Sequence, residues 1–301
     1  MPAPTTTTLP ALATPAEALR VGSRTFDWVD STRATPANDR YRARSGRELV
    51  TTIWYPAVGS SSRFVHARAA ADHAHGRFPI LLLAHGHGGE PVDYTPDALN
   101  WASRGYVVVA PAFPLSRRRA LGGPTYADLA NQPGDLSFVL TRVLADNVDP
   151  SSWLYHLVDA RRVGAVGHSM GAWTVLALVG NTCCRDRRVT AAVIDAGEMA
   201  PAFKTKFFAK GSAPVLFVNA RDDATVPYAA GEQAYLAAPK PKYMLTLPSG
   251  GHITPYFGPK TPVGATVLQV TNDFLDRYVR TIRSVAIVSP DLRYGTLTSR
   301  R

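Results

Sequence analysis

The chain has 301 residues, of which 46% are apolar and 19% charged, a balance that suits a globular protein with a large core and excludes fibrous and disordered classes. Its net charge of +10 includes short runs, Arg117 to Arg119 and Arg185, Arg187, Arg188, without interleaved aromatics, so a solvated basic surface and no nucleic-acid partner are expected. No apolar run approaches the roughly 18 residues needed to cross a bilayer, so no membrane span is expected.

Residues 1–19 are rich in Thr, Pro and Ala and read as a flexible tail. They lack the charged, apolar and cleavage regions of a secretory signal, yet their composition is similar to the spacer behind a removed one, which leans toward export. Residues 24–30 and 48–55, rich in β-branched and aromatic side chains, predict two opening strands. Residues 59–76 show no periodicity and read as a surface connection. Residues 78–84 are continuously apolar, as in a strand covered on both faces, and lead through a Gly-rich turn at 85–89 to a helix around 96–103. A second apolar strand at 106–111 precedes a long loop, 111–133, whose sequence does not reveal whether it covers the site.

Leu136, Val139, Leu140, Val143 and Leu144 then mark one buried stripe of a helix. Strands at 163–166, 189–194, 215–219 and 243–247 alternate with helices at 172–179 and 229–237, and Val267, Val270, Phe274 and Tyr278 mark a last helix. This alternation predicts an α/β fold, a mostly parallel eight-stranded sheet with helices on both faces, in one domain over residues 20–284 with a C-terminal tail at 285–301. A monomer is expected. A disulfide between the adjacent Cys183 and Cys184 would close almost no loop, so free or buried thiols are expected.

The run Gly167-His168-Ser169-Met170-Gly171 carries the chemistry. G-x-S-x-G gains meaning only between a strand and a helix, where the turn lifts the serine hydroxyl above the sheet, and the predicted elements put it there. Ser169 is therefore the candidate nucleophile. A serine hydroxyl needs an adjacent base, which follows the serine in chain order on such a sheet, and His252 alone of the eight histidines lies beyond Ser169. Two carboxylates at strand ends compete to orient it: Asp223 is preferred, Asp195 is the alternative acid, and alternation turns Asp222 away. The oxyanion donors are expected to be the backbone amides of Met170 and of His87, in the run His85-Gly86-His87-Gly88-Gly89, with the His87 side chain incidental. His73-x-His75 and His85-x-His87 have the spacing of metal-ligand pairs but no Cys or carboxylate at ligand spacing beside them, so no metal is expected.

These motifs, with Trp101 to Pro111, Asp223-Ala224-Thr225-Val226-Pro227 and Gly251-His252, make the sequence resemble α/β-hydrolase serine esterases over most of residues 50–279. The resemblance is to bacterial polyester hydrolases and cutinase-like enzymes, and more widely to dienelactone-hydrolase and platelet-activating-factor-acetylhydrolase relatives. It implies hydrolysis of small-molecule or polymeric carboxylic esters by a Ser169, Asp223, His252 triad without cofactor. Asp-x-x-Val-Pro at Asp223 is the polyester-hydrolase pattern, while Ile194-Asp195-Ala196 is similar to the acid segment of the acetylhydrolases. Polyester hydrolases carry an aromatic where this chain has His87 and a tryptophan after the strand that here ends at Ile194 to Glu198, so an aromatic clamp is not expected and Trp173 reads as core. The alternatives are an amidase or peptidase of the same fold and a non-catalytic ligand-binding relative.

Overall fold

A computed structural model of the chain describes residues 15, 17–208 and 212–300. The expectation for residues 1–19 lies, apart from residues 15 and 17–19, outside the described residues. The strands are β1 (Arg20–Asp30), β2 (Arg47–Ala57), β3 (Val65–Ala67), β4 (Phe78–Ala84), β5 (Val107–Pro111), β6 (Val158–His168), β7 (Val189–Asp195), β8 (Val215–Ala220), β9 (Lys242–Leu247) and β10 (Thr296–Arg300). The helices are α1 (Thr95–Ser103), α2 (Gln132–Asp146), α3 (Met170–Gly180), α4 (Tyr228–Ala237) and α5 (Pro262–Tyr278).

The continuously apolar run of β4 is buried at every position because both faces of its strand are covered. Successive side chains point to opposite faces: Ile80 and Leu82 join one core with Leu136 and Val139 of α2 and Val175 of α3, while Leu81 and Leu83 join another with Trp101 of α1 and Phe274 of α5. Helices thus lie on both faces. The strands form one sheet in the order β10-β9-β8-β7-β6-β4-β5-β2-β1-β3, in which β5, β4, β6, β7, β8 and β9 run parallel. The loops after β4, β6, β7, β8 and β9 therefore gather at one edge, where ligands bind in open α/β sheets.

Two strands exceed the eight expected. The connection at 59–76 contains β3, three residues parallel to β1, too short to show a period. The expected C-terminal tail contains β10, antiparallel to β9 at the sheet edge. Its run Thr-Leu-Thr-Ser-Arg is mostly exposed, so backbone pairing rather than apolar burial defines it and its sequence gives no strand signal. Cys183 and Cys184, expected as thiols, are joined in a disulfide within a turn after α3.

The long loop after β5 is tied down by a buried cation. Arg47, at the start of β2, donates to both oxygens of Asp128 at 3.0 and 2.7 Å and to both oxygens of Asp135 at 2.7 and 2.6 Å, with all three side chains out of solvent. One guanidinium thereby fixes the end of the loop and the first turns of α2 to the sheet. Removing it leaves the buried Asp128 without a cation and Asp135 with only the half-buried Arg33 at 2.8 Å, so Arg47→Met is expected to lower the unfolding free energy by about 3–5 kcal/mol. Urea denaturation followed by circular dichroism measures this, and a loss under about 1 kcal/mol, as for an exposed ion pair, would contradict the anchoring role.

Candidate active site

Between the last residue of β6 and the first of α3 stands Ser169 alone, at φ 55° and ψ −125°. A non-glycine residue in that region costs on the order of 1–3 kcal/mol and persists only where its surroundings impose it. Here two close approaches impose it. A Cβ on Gly171 would collide with the carbonyl of Ala84 at the end of β4, and one on Gly167 with the carbonyl of Gly171. Only glycines let β4, β6 and α3 come that near. The Ser169 amide donates to the Asp195 carbonyl at 2.9 Å, fastening the turn to the end of β7.

The loop after β9 brings His252 over this turn. The Asp222 carboxylate accepts from the amides of Gly250 and Gly251 at 3.1 and 2.9 Å and shapes the loop. His252 Nε2 lies 2.8 Å from Ser169 Oγ, and its Nδ1 lies 2.8 Å from Asp223 Oδ2. Asp223, its side chain wholly buried, has its other oxygen bonded by the amides of Thr225 and Val226 at 2.8 and 2.9 Å. That turn aims the free oxygen at the imidazole.

Asp195 lies elsewhere. Its carboxyl enters a small enclosed cavity shared with Asp97, Trp101 and Thr271, and Oδ1 has no hydrogen-bond partner among the described residues. Burial, with the nearby Asp97 carboxyl, pushes its pKa well above the usual carboxylate range, and burial lifts Asp97 to about 7. Of the two sequence candidates, the structure brings Asp223 and not Asp195 to His252.

In the oxyanion run, the Gly86 amide donates to the Tyr94 hydroxyl at 3.0 Å, Gly88 to the Ser116 carbonyl at 2.7 Å and Gly89 to the Gly86 carbonyl at 3.0 Å. That leaves the His87 amide without an acceptor among the described residues. Met170 opens α3, so its amide has no acceptor within the helix. Met170 directly follows Ser169, and His87 lines a cleft of about 550 Å³ together with Tyr126, Ser169, His252, Phe257 and Lys260. The His87 ring stacks on Tyr126 at 4.1 Å, and Tyr126 approaches the half-buried Trp173 at 6.0 Å. At the rim Arg118, from the basic run, pairs with Asp93 at 2.6 Å.

One histidine of each pair is held by another partner. His85 donates from Nδ1 to the Gly86 carbonyl at 2.8 Å and accepts at Nε2 from the Phe113 amide at 3.0 Å, while burial lowers its pKa to about 4. His75 sits against Asp72 at 2.5 Å. Among the described residues no group of three or more His, Cys, Asp or Glu side chains is placed to hold a metal ion.

Four residues at the site have no distinctive signal in the sequence. Tyr94, His168, Tyr126 and Asp222 act through partners far along the chain, such as the 74 positions between Tyr94 and His168. For His168 the motif itself marked the place without marking a role.

No protein-family model matches the sequence, and no curated protein matches it. Among solved structures the chain is similar to a ferulic acid esterase from Streptomyces cinnamoneus, with 25% sequence identity and a TM-score of 0.67 over 96% of this chain and 98% of that one. The chain has the α/β-hydrolase fold and resembles, over nearly its whole length, an esterase of that fold.

Proposed function

We propose that the protein is a serine hydrolase of carboxylic esters, with Ser169 as nucleophile, His252 as base and Asp223 as acid. The observation that carries this reading is the unbroken relay from Ser169 Oγ to His252 Nε2 and from His252 Nδ1 to Asp223 Oδ2, each step 2.8 Å. Likeness to a ferulic acid esterase supports esters over amides. A cleft of about 550 Å³ has the size of small-molecule sites.

In the first half-reaction Ser169 Oγ attacks the ester carbonyl carbon while His252 Nε2 takes the hydroxyl proton. The charge on imidazolium is stabilised by Asp223, which accepts from Nδ1–H throughout and keeps its own proton count. Negative charge gathers on the former carbonyl oxygen, where the His87 and Met170 amides donate to it, aided by the N-terminal end of α3. As the tetrahedral adduct collapses, His252 returns the proton to the departing alkoxide and an alcohol leaves. Water then repeats the sequence on the acyl-enzyme, releasing the acid and restoring Ser169.

A fluorophosphonate probe is expected to label Ser169, and Ser169→Ala is expected to abolish labelling and lower kcat by about 10⁶. Labelling that survives the substitution, read by peptide mass spectrometry, would contradict the assignment. Because protons and backbone donors carry every step, dialysis against EDTA is expected to leave the rate unchanged. A loss restored by Zn²⁺ would shift the chemistry to His73, His75, His85 and His87.

The acid is tested by two variants on one soluble ester. Asp223→Asn is expected to lower kcat by about 10⁴, because the amide cannot hold the imidazole tautomer, whereas Asp195→Asn costs less than about tenfold. Asp195 also predicts a stability effect. Its folded-state pKa is raised, so as pH rises above the carboxylate range the unfolded chain releases a proton that the folded chain retains, and stability falls. Asp195→Asn removes that penalty and is expected to be at least as stable as wild type at pH values above the usual carboxylate range. A crippled Asp195→Asn beside a near-wild-type Asp223→Asn would reverse the assignment.

A further inference from the structure

Two buried side chains outside the relay connect its opposite walls. Tyr94 and His168 are almost wholly out of solvent, and their polar atoms form one chain of hydrogen bonds. The Gly86 amide lies 3.0 Å from the Tyr94 hydroxyl, that hydroxyl 3.0 Å from His168 Nδ1, and His168 Nε2 2.8 Å from the His252 carbonyl. The protons have one consistent arrangement. An amide can only donate, so the Tyr94 oxygen accepts from Gly86 and its single proton goes to His168 Nδ1. A carbonyl can only accept, so His168 carries its proton on Nε2.

The ends of this chain distinguish it from ordinary satisfaction of buried polar groups. Gly86 immediately precedes His87, whose amide is the proposed oxyanion donor, and the carbonyl at the other end belongs to His252 itself. Ser169 lies between them, directly after His168. Packing leaves little slack: a Cβ at Gly86 would sit 3.2 Å from the Ser169 Cβ and 3.3 Å from His168 Nδ1. The His168 ring is also held against His252, Tyr256 and Phe257 at 5.1, 5.1 and 5.3 Å.

We infer that Tyr94 and His168 are positioning residues that fix the separation of the oxyanion loop and the His252 loop across Ser169. This rests on the ester-hydrolase reading. Burial lowers the His168 pKa to about 4, so its ring stays neutral while His252 cycles through its charged form and neither competes for the serine proton nor repels the imidazolium. The network borders the cleft through Tyr94 and His168, yet its polar atoms are all bonded to protein partners. Its effect is on geometry, where a displacement near 1 Å costs about a hundredfold in rate.

The test compares wild type, Tyr94→Phe, His168→Leu, His168→Gln and the double variant Tyr94→Phe/His168→Leu on a soluble p-nitrophenyl ester, with kcat expressed per fluorophosphonate-titrated site. Tyr94→Phe and His168→Leu are expected to lower that kcat by about tenfold to a hundredfold while KM stays within about twofold. Glutamine can accept through Oε1 and donate through Nε2 as the imidazole does, so His168→Gln is expected to recover at least about tenfold over His168→Leu. The double variant is expected to be no worse than its worse parent, since both cut one chain. Unchanged kcat in Tyr94→Phe, a loss confined to the number of titratable sites, or a glutamine variant no better than leucine overturns the positioning role. An active wild type with an undiminished Tyr94→Phe overturns that role alone, whereas a wild type with neither turnover nor labelling overturns the ester-hydrolase reading with it.

Discussion

Backbone meets backbone where β4, β6 and α3 converge, and that approach fixes the geometry of everything built above it. Gly167 and Gly171 carry no side chain to separate the elements, so the chain turns from strand to helix within the single residue Ser169. The cost of its unusual conformation is offset by the buried strands and helix on either side, whose apolar side chains leave the turn no alternative path. The same turn delivers three consequences together: an outward hydroxyl, a helix start whose Met170 amide lacks a helical acceptor, and an imidazole at His168 directed inward to Tyr94.

Two aspartates near this turn show how environment sorts identical side chains. Asp223 is buried but surrounded by donors, with two amides on one oxygen and the His252 imidazole on the other, so its negative charge is compensated. Asp195 is buried beside a second carboxyl and has an unpartnered oxygen, an environment that favours the neutral acid. A neutral carboxyl cannot offset an imidazolium. The distinction rests on neighbours rather than on place along the sheet, because Asp195 ends β7 and Asp223 follows β8, parallel strands whose ends share one edge.

Most of the sheet was legible in the sequence because buried parallel strands are written as apolar runs and their helices as stripes. β4 coincides with its apolar run residue for residue, and α2, Gln132–Asp146, contains the whole stripe from Leu136 to Leu144. β10 was not legible, since an edge strand made by backbone pairing leaves no apolar pattern in Thr296–Arg300. At the site, Ser169 and His252 could be read from motif and chain order, and the choice between Asp223 and Asp195 could only be weighed. The contacts of Tyr94, Tyr126 and Asp222 depend on which loops meet above the sheet, information no local pattern holds. Arg47 illustrates the same limit: its two carboxylates lie 81 and 88 positions away.

The central claim is that acyl transfer passes through Ser169, and a trapped covalent intermediate tests it most directly. The protein is mixed with a bulky, slowly deacylated p-nitrophenyl ester, quenched in acid during the first turnover, and digested for peptide mass mapping. The account predicts a burst of p-nitrophenol equal to the enzyme present and the matching acyl group on the peptide that contains Ser169. Steady release of p-nitrophenol with unmodified protein throughout, or an acyl group on any other residue, would contradict it.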